Sequence, residues 1–286
     1  MAAARSGGPA EIVAVDAMQV YRGMDIGTAK PSRDDRAEVP HHGIDLVDPD
    51  HESGLVEYLP VAALAIEAIA ARGARPILVA GTGLYLRGLT DPMEIPGSWP
   101  EVRRGLEARA ALEPAGALHR ELALVDPTAA ARIEPANLRR IVRALEVCLG
   151  SGRPFSSFGP GLNRFEPVPF VQIGLRWTRP ALAVRIERRV HQMMVDGLLD
   201  EVRTLLCRSP PMSRTARQAL GYRELIAHLE GTVSLDEAVA EIVLRTRQYA
   251  VRQERWFRRD PRIQWVDIHI DPVAEAVPVI SRWSAS

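Results

Sequence analysis

A short apolar run that closes on an acid is the first place in this sequence where chemistry can sit. Residues 11–16, EIVAVD, read as a buried strand ending at Asp16. Open α/β sheets bind ligands beyond the carboxyl ends of their strands. Asp16 therefore has the position of a general base or a metal-linked acid. A carboxylate there can equally do no more than cap the following turn, and residue types alone leave both readings open. A second strand end of this kind is Gly81-Thr82-Gly83, after the apolar run 76–80, PILVA. Cations supply the third feature. Arg139 and Arg143 lie off the apolar face of one helix, and Arg245, Gln248, Arg252, Arg255 and Arg259 recur along another at steps of three and four. Guanidinium groups arrayed in this way suit phosphate oxygens, although a solvated helix face produces the same pattern.

Regular elements must hold these groups. Residues 56–72 have alanine-rich helical composition and stop at Gly73. Strand, helix and strand with continuous apolar strands predict a parallel sheet covered on both faces, hence an α/β fold. Residues 168–177 and 263–268 are further strand candidates. Residues 99–165 predict a helical insertion between two parts of the core, 1–98 and 166–286. Within it, Asp126-Pro127 opens a helix, an N-cap acid before a first-turn proline. Leu138, Ile141, Val142, Leu145 and Leu149 share its last helix's apolar face. Residues 154–169, rich in Gly, Pro and Ser, read as a returning loop. Residues 179–208 and 234–259 predict two long helices. The second opens on a capping box, Ser234 to Glu237, and sets Val239, Ile242, Thr246, Tyr249 and Trp256 on a packing face.

The 286 residues are 47% hydrophobic and 25% charged, the balance of a globular protein. No apolar run reaches the ~20 residues that cross a bilayer, and residues 1–10 do not resemble a secretory signal. Cys148 and Cys207 are too few for a disulfide framework and read as two buried free thiols, so a cytoplasmic setting is expected. Net charge is zero, but it is unevenly spread. Residues 1–98 carry 8 basic and 14 acidic side chains, whereas residues 176–260 carry 16 and 11. Local positive surface, not the total, governs phosphate contacts.

The run from Asp16 to Pro31, DAMQVYRGMDIGTAKP, resembles the strand-end motif of tRNA dimethylallyltransferases. The resemblance continues through His41-His42, residues 45–49 (DLVDP), residues 81–85 (GTGLY), residues 140–147 (RIVRALEV), residues 218–223 (QALGYR), residues 246–250 (TRQYA), Arg252-Gln253 and residues 256–258 (WFR). It implies a P-loop NTPase-like, nucleotide-binding (ATP-binding) α/β core with a helical insertion. The implied activity is transfer of a dimethylallyl group from dimethylallyl diphosphate to the exocyclic amine of the adenosine on the 3′ side of the anticodon. The implied partner is the tRNA anticodon stem-loop, the implied ion Mg2+, and the expected state a monomer that does not enter membranes. By the same resemblance, Asp16 is the general base and Thr82 contacts the nucleotide. Ala17, Met18 and Gln19 line the adenosine's pocket. Arg103, Arg139, Arg140, Ile141, Val142 and Arg143 match positions at the anticodon stem-loop. Gln218, Gly221, Tyr222 and Arg223 match a motif near diphosphate and RNA. Arg245, Gln248 and Arg252 complete the RNA-facing set.

The chain departs from the family in one large respect. The phosphate-binding loop, G-x-x-x-x-G-K-[ST], has no match in these residues. Gly27 and Lys30 are separated by Thr28 and Ala29, and Pro31 follows, so this run lacks the lysine directly after glycine that a phosphate loop needs. Residues 1–10 read as the end of the helix that follows such a loop. About 25 residues are thus expected to be absent, a strand of ~5, a loop of ~8 and a helix of ~12. A shortened or misassigned start explains that better than a gene remnant or a different diphosphate site. A poorly soluble chain with little transferase activity is the resulting expectation. Val251 also stands where the family usually has a basic residue. Two rivals remain, a small-molecule kinase of the same fold and a non-catalytic tRNA-binding remnant.

Overall fold

The computed structural model describes residues 1–5, 8–159 and 164–282. The chain divides into two compact units, one of Met1–Thr90 with Pro167–Ser286, the other Asp91–Glu166. Ser6 and Gly7, within the expected helix end, and residues 160–163 of the expected loop lie outside the described residues.

The first unit opens with α1 (Ala2–Arg5), β1 (Ala10–Val15), α2 (Arg33–Glu38) and β2 (His41–His42), then α3 (Leu55–Ala71), β3 (Arg75–Ala80) and α4 (Gly83–Thr90). β1 buries Ile12 through Val15, as a continuous apolar strand should. It lies at the centre of a parallel sheet of order β2-β1-β3. At the start of β1, Glu11 meets His42 Nε2 at 2.6 Å and the Arg72 fork at 2.9–3.1 Å. The His42 bond, with Arg72 adding to it, holds this carboxyl below its ordinary value despite burial. Tyr58, buried on α3, donates to Ala14 O at 2.7 Å and so locks the helix to the sheet.

The second unit contains α5 (Pro100–Leu112), α6 (Ala117–Val125), α7 (Pro127–Arg132) and α8 (Leu138–Ser151), closed by a short 3-10 turn, Phe155–Ser157. Asp126 caps α7 through Ala129 N–H and also accepts from Ser156, which ties the turn back to the helix start. Ile141, Val142, Ala144, Leu145 and Cys148 of α8 pack against Leu106, Leu118 and Leu122 in a core of this unit's own. Leu138 and Leu149, expected on that face, are about half exposed, because they sit in the first and last turns, beyond the packed neighbours.

The chain then returns to the first unit with β4 (Gln172–Trp177), α9 (Arg179–Val195), α10 (Leu198–Leu206), α11 (Arg214–Arg217), α12 (Tyr222–Leu229), α13 (Leu235–Phe257), β5 (Ile263–Ile268) and α14 (Pro272–Arg282). Three expectations need correction. The long helix over 179–208 is two helices, broken at Asp196 and Gly197, where the backbone turns to φ 99°. The strands form two sheets among the described residues, since β4 pairs in parallel only with β5 and β3 only with β1. The outer edges of β3 and β4 therefore carry no partner strand, and Val79 and Leu175 are about half exposed. Cys207, at the C-cap of α10, is exposed, while Cys148 is buried; both are free. The capping box of α13 is present, with Ser234 and Glu237 each accepting from the other's backbone N–H, an arrangement that contributes about 1 kcal/mol.

Candidate active site

The pairing of Val15 with Ala80 sets the ends of β1 and β3 level, so Asp16 and Gly81 leave the sheet side by side. Asp16 Oδ1 accepts the N–H groups of Met18 at 2.7 Å and Gln19 at 3.2 Å. One oxygen thus caps the turn. The other, Oδ2, accepts no hydrogen bond among the described residues and lies 3.8 Å from where a Cβ on Gly81 would stand. The capping and base readings are compatible, because the cap fixes the orientation of a carboxylate whose second oxygen can still take a proton.

Helix α13 closes over this strand end. Gln253 Nε2 donates to Gly81 O at 2.7 Å and the Tyr249 hydroxyl to the same oxygen at 3.3 Å. The Trp256 indole lies against Gly83, where a Cβ would fall 2.0 Å from Nε1; the helix comes this close only because that residue has no side chain. Burial pushes the Tyr249 phenol up, the Asp16 charge adds to this, and the Thr82 hydroxyl opposes it. Asp16, Thr82, Tyr249 and Gln253 therefore converge. Tyr85, its ring 5.2 Å from that of Tyr58, is pushed up to about 12 by burial, with Tyr21 and Asp16 adding to the shift. Tyr249 was expected on a packing face. It is 38% exposed instead, and its hydroxyl reaches Gly81.

The segment after Asp16 folds into a braced loop. Lys30, its side chain 1% exposed, donates to Tyr21 O at 2.5 Å, to Asp25 at 2.8 Å and to Asp45 at 2.6 Å. An ammonium has three donors, so Lys30 has none to spare for a phosphate. Burial opposes the charge on Asp45, yet Lys30 and Arg36 together hold that carboxyl below its ordinary value. Gln19 Nε2 donates to Thr28 O at 3.0 Å and Ala29 O at 3.3 Å. Ala17 and Met18 are half-buried against the core.

The predicted RNA-facing residues separate into groups. In the second unit, Arg139 and Arg140 are exposed and make no ion pair among the described residues. Arg103 and Arg143 converge instead on Glu146, a fully buried carboxylate that also accepts from Trp99 N–H at 2.8 Å. Arg143 spends a further donor on Pro96 O. Burial alone would raise Glu146; the Trp99 N–H and the two guanidiniums outweigh it and hold it below its usual range. The expectation that Ile141 and Val142 touch RNA is corrected, because both are buried, at 1% and 5% exposure, in this unit's core.

In the first unit, Arg223 and Arg245 meet at buried Glu224, at 2.5 and 3.4 Å. Glu224 also accepts from Gly221 N–H at 2.9 Å. Gln218 and Arg223 open into a cleft of ≈ 510 Å³ lined also by Arg214, Arg217 and Glu230. Tyr222 is fully buried, with its hydroxyl 2.5 Å from Glu201, so it offers no side-chain contact to a substrate. Gln248 and Arg252 are exposed on α13, and Arg252 lies 5.9 Å from the Tyr249 ring. Gln253, Glu146, Glu201 and Glu224 had no predicted role. Of these, only Gln253 left a usable signal, since it stands four residues after Tyr249 on one helical face.

Comparison with known proteins places this geometry in context. The model of the family described as IPP transferase matches residues 19–260. The tRNA dimethylallyltransferase of Streptomyces coelicolor is 48% identical over 264 residues, covering 92% of this chain and 83% of the relative. That of Geobacter metallireducens is 50% identical over 268 residues, with 93% and 86% covered. Among solved structures, the tRNA delta(2)-isopentenylpyrophosphate transferase of Staphylococcus epidermidis aligns with TM-score 0.69 at 30% identity, covering 99% of this chain and 92% of that one. A eukaryotic dimethylallyltransferase acting on tRNA aligns with TM-score 0.75 at 25% identity, over 94% and 71%.

Proposed function

The chain belongs to the IPP transferase family, and from that premise we propose that it transfers a dimethylallyl group from dimethylallyl diphosphate to the exocyclic amine of the adenosine 3′-adjacent to the anticodon of tRNA. Its fold is α/β, of the P-loop NTPase-like kind of the matched isopentenyltransferases. The observation that carries the mechanism is the divided Asp16 carboxylate, Oδ1 fixed by two backbone N–H groups and Oδ2 without a hydrogen-bond partner among the described residues. An aromatic amine attacks poorly until its proton has an acceptor. Asp16 Oδ2 takes that proton as nitrogen bonds to the first carbon of the dimethylallyl group. The carbon–oxygen bond to the diphosphate breaks, and its electron pair leaves with the diphosphate. Thr82, with Tyr249 and Gln253 steadying Gly81, borders the reacting amine. Ala17, Met18 and Gln19 line the base's pocket. A base held in an RNA loop must be swung out to reach such a pocket. Arg139, Arg140, Arg223, Arg245, Gln248 and Arg252 supply polar and cationic contacts for the backbone that carries it, as do Arg103 and Arg143 where their pairing with Glu146 leaves donors over.

Holding the diphosphate is a separate matter. The 286 residues contain no phosphate loop, and Lys30 is fully engaged. The residues named above are therefore proposed for base binding, RNA contact and proton transfer, not for the diphosphate. Among the described residues no three His, Cys, Asp or Glu side chains converge on a point, so they do not fit a protein-built Mg2+ site and no step is routed through one. Likewise among the described residues, no helix is long and apolar enough to cross a membrane; a cytoplasmic monomer is the proposed state.

The test is Asp16→Ala in a transfer-competent form. Stem-loop affinity should hold while single-turnover transfer falls by about 10²–10⁴. Transfer at the parent rate would falsify the role of Asp16. RNA binding that never yields product would identify a non-catalytic tRNA-binding protein.

A further inference from the structure

Glu201, on α10, lies 185 residues from Asp16 in sequence and carries no role in the chemistry above. Its carboxylate nevertheless collects four donors. Oε2 accepts the N–H groups of Asp25 at 2.9 Å and Ile26 at 2.8 Å, and Oε1 accepts Gly27 N–H at 3.3 Å and the Tyr222 hydroxyl at 2.5 Å. Three consecutive backbone N–H groups aimed at one point describe an anion-binding concavity, here filled by the protein's own side chain. The Tyr222 ring closes it from another side. A Cβ on Gly27 would lie 2.4 Å from that ring, so the contact requires glycine. Burial, and then the Glu201 charge, push the Tyr222 phenol up, which keeps it protonated and donating.

The loop held in this way carries strain. Ala29 lies in the left-handed region at φ 50°, as does Asp45, the ion-pair partner of Lys30, at φ 53°. Such conformations persist in residues with a Cβ only where the surroundings over-determine them. Glu201 braces one end of the loop and buried Lys30 the other. Between the braces stand Thr28 O and Ala29 O, the two acceptors of Gln19 Nε2. They turn the Gln19 carboxamide so that, among the described residues, its oxygen is the group left over, three residues from Asp16 in sequence.

We infer that Glu201 is a positioning residue for base selection: it shapes residues 25–29 so that Gln19 presents a carboxamide oxygen, an acceptor, beside the Asp16 acceptor. Such a pair accepts hydrogen bonds from an exocyclic amine and repels a carbonyl at the same place, which discriminates adenine from guanine. The inference rests on the adenosine-pocket reading proposed above.

The experiment compares the full chain with Glu201→Gln and Tyr222→Phe, by amide hydrogen exchange over residues 24–30 and by binding of anticodon stem-loops with adenosine or guanosine at the target position. In Glu201→Gln the amides of Asp25, Ile26 and Gly27 should exchange at least tenfold faster while α10 and α12 keep their protection, and the adenosine preference should shrink on the order of tenfold. Tyr222→Phe, which removes one donor and leaves the carboxylate, should produce a smaller change in both. Unaltered exchange overturns the inference, as does faster exchange with the adenosine preference intact. A parent chain that binds both stem-loops equally would instead overturn the pocket reading, and the inference with it.

Discussion

Two carboxylates, Glu201 in the first unit and Glu146 in the second, each receive several donors, yet they do opposite work. Three of the groups on Glu201 are backbone N–H, so its charge is spent on the shape of the chain. Two of those on Glu146 come from the Arg103 guanidinium, and Arg143 pairs with it at 3.0 Å, so its charge holds two cations in place. A loop needs its backbone fixed because side chains hung on it inherit every error. A helix has a fixed backbone already, and a carboxylate inside it can be used to orient long, mobile side chains. The same residue type thus shapes a loop backbone in one region and orders two arginine side chains in the other.

The largest effect expected from breaking that contrast is on the second unit's stability. Glu146→Ala strands Arg103 and Arg143 beside a buried apolar core. It should cost about 3 kcal/mol, at the low end for a broken buried pair because Arg103 keeps 42% of its side chain exposed. Urea unfolding of the full chain measures it. A loss below about 1 kcal/mol would make Glu146 an ordinary surface partner.

Acid should reveal the same carboxylate more gently. Its folded value lies below the ordinary 4.5, so its contribution is complete above that pH and disappears as pH falls through the lowered value. The unfolding midpoint should fall more steeply with acid in the parent than in Glu146→Gln between about pH 5 and 3. Parallel curves would assign the acid limb to other carboxylates, such as Glu11 and Asp45, whose values are lowered too.

The smallest and most selective effect belongs to Arg139 and Arg140. Replacing both by Ala should change stability by less than about 0.5 kcal/mol, since neither has an ion-pair partner among the described residues. Stem-loop affinity should nevertheless fall, and the slope of log affinity against log salt should flatten by about one for each phosphate no longer neutralised. Affinity unchanged at every salt concentration would leave these arginines as solvated surface.

Much of the layout could be read without coordinates, for local reasons. The apolar strand ending in Asp16, the proline-opened helix after Asp126 and the capping box at Ser234 are each set by neighbours within four residues. Where a feature depends on a distant partner, local pattern misled. The run over 179–208 looked continuous because its composition suits a helix on both sides of the break at Asp196 and Gly197. The arginines at 103, 139, 140 and 143 looked alike. Only packing decides that two of them share a buried glutamate while two face solvent.

The amino-acid sequence by itself determined the α/β class, the family and the acid at the strand end, because these follow from short-range periodicity and from residue types in a fixed order. Tertiary structure alone decided that Tyr249 and Gln253 reach back across 168 and 172 residues to Gly81, and that Glu201 grips a loop 174–176 positions away. A hydrogen bond acts over about 3 Å of space and takes no account of separation along the chain, so these contacts exist only once the fold has brought the groups together.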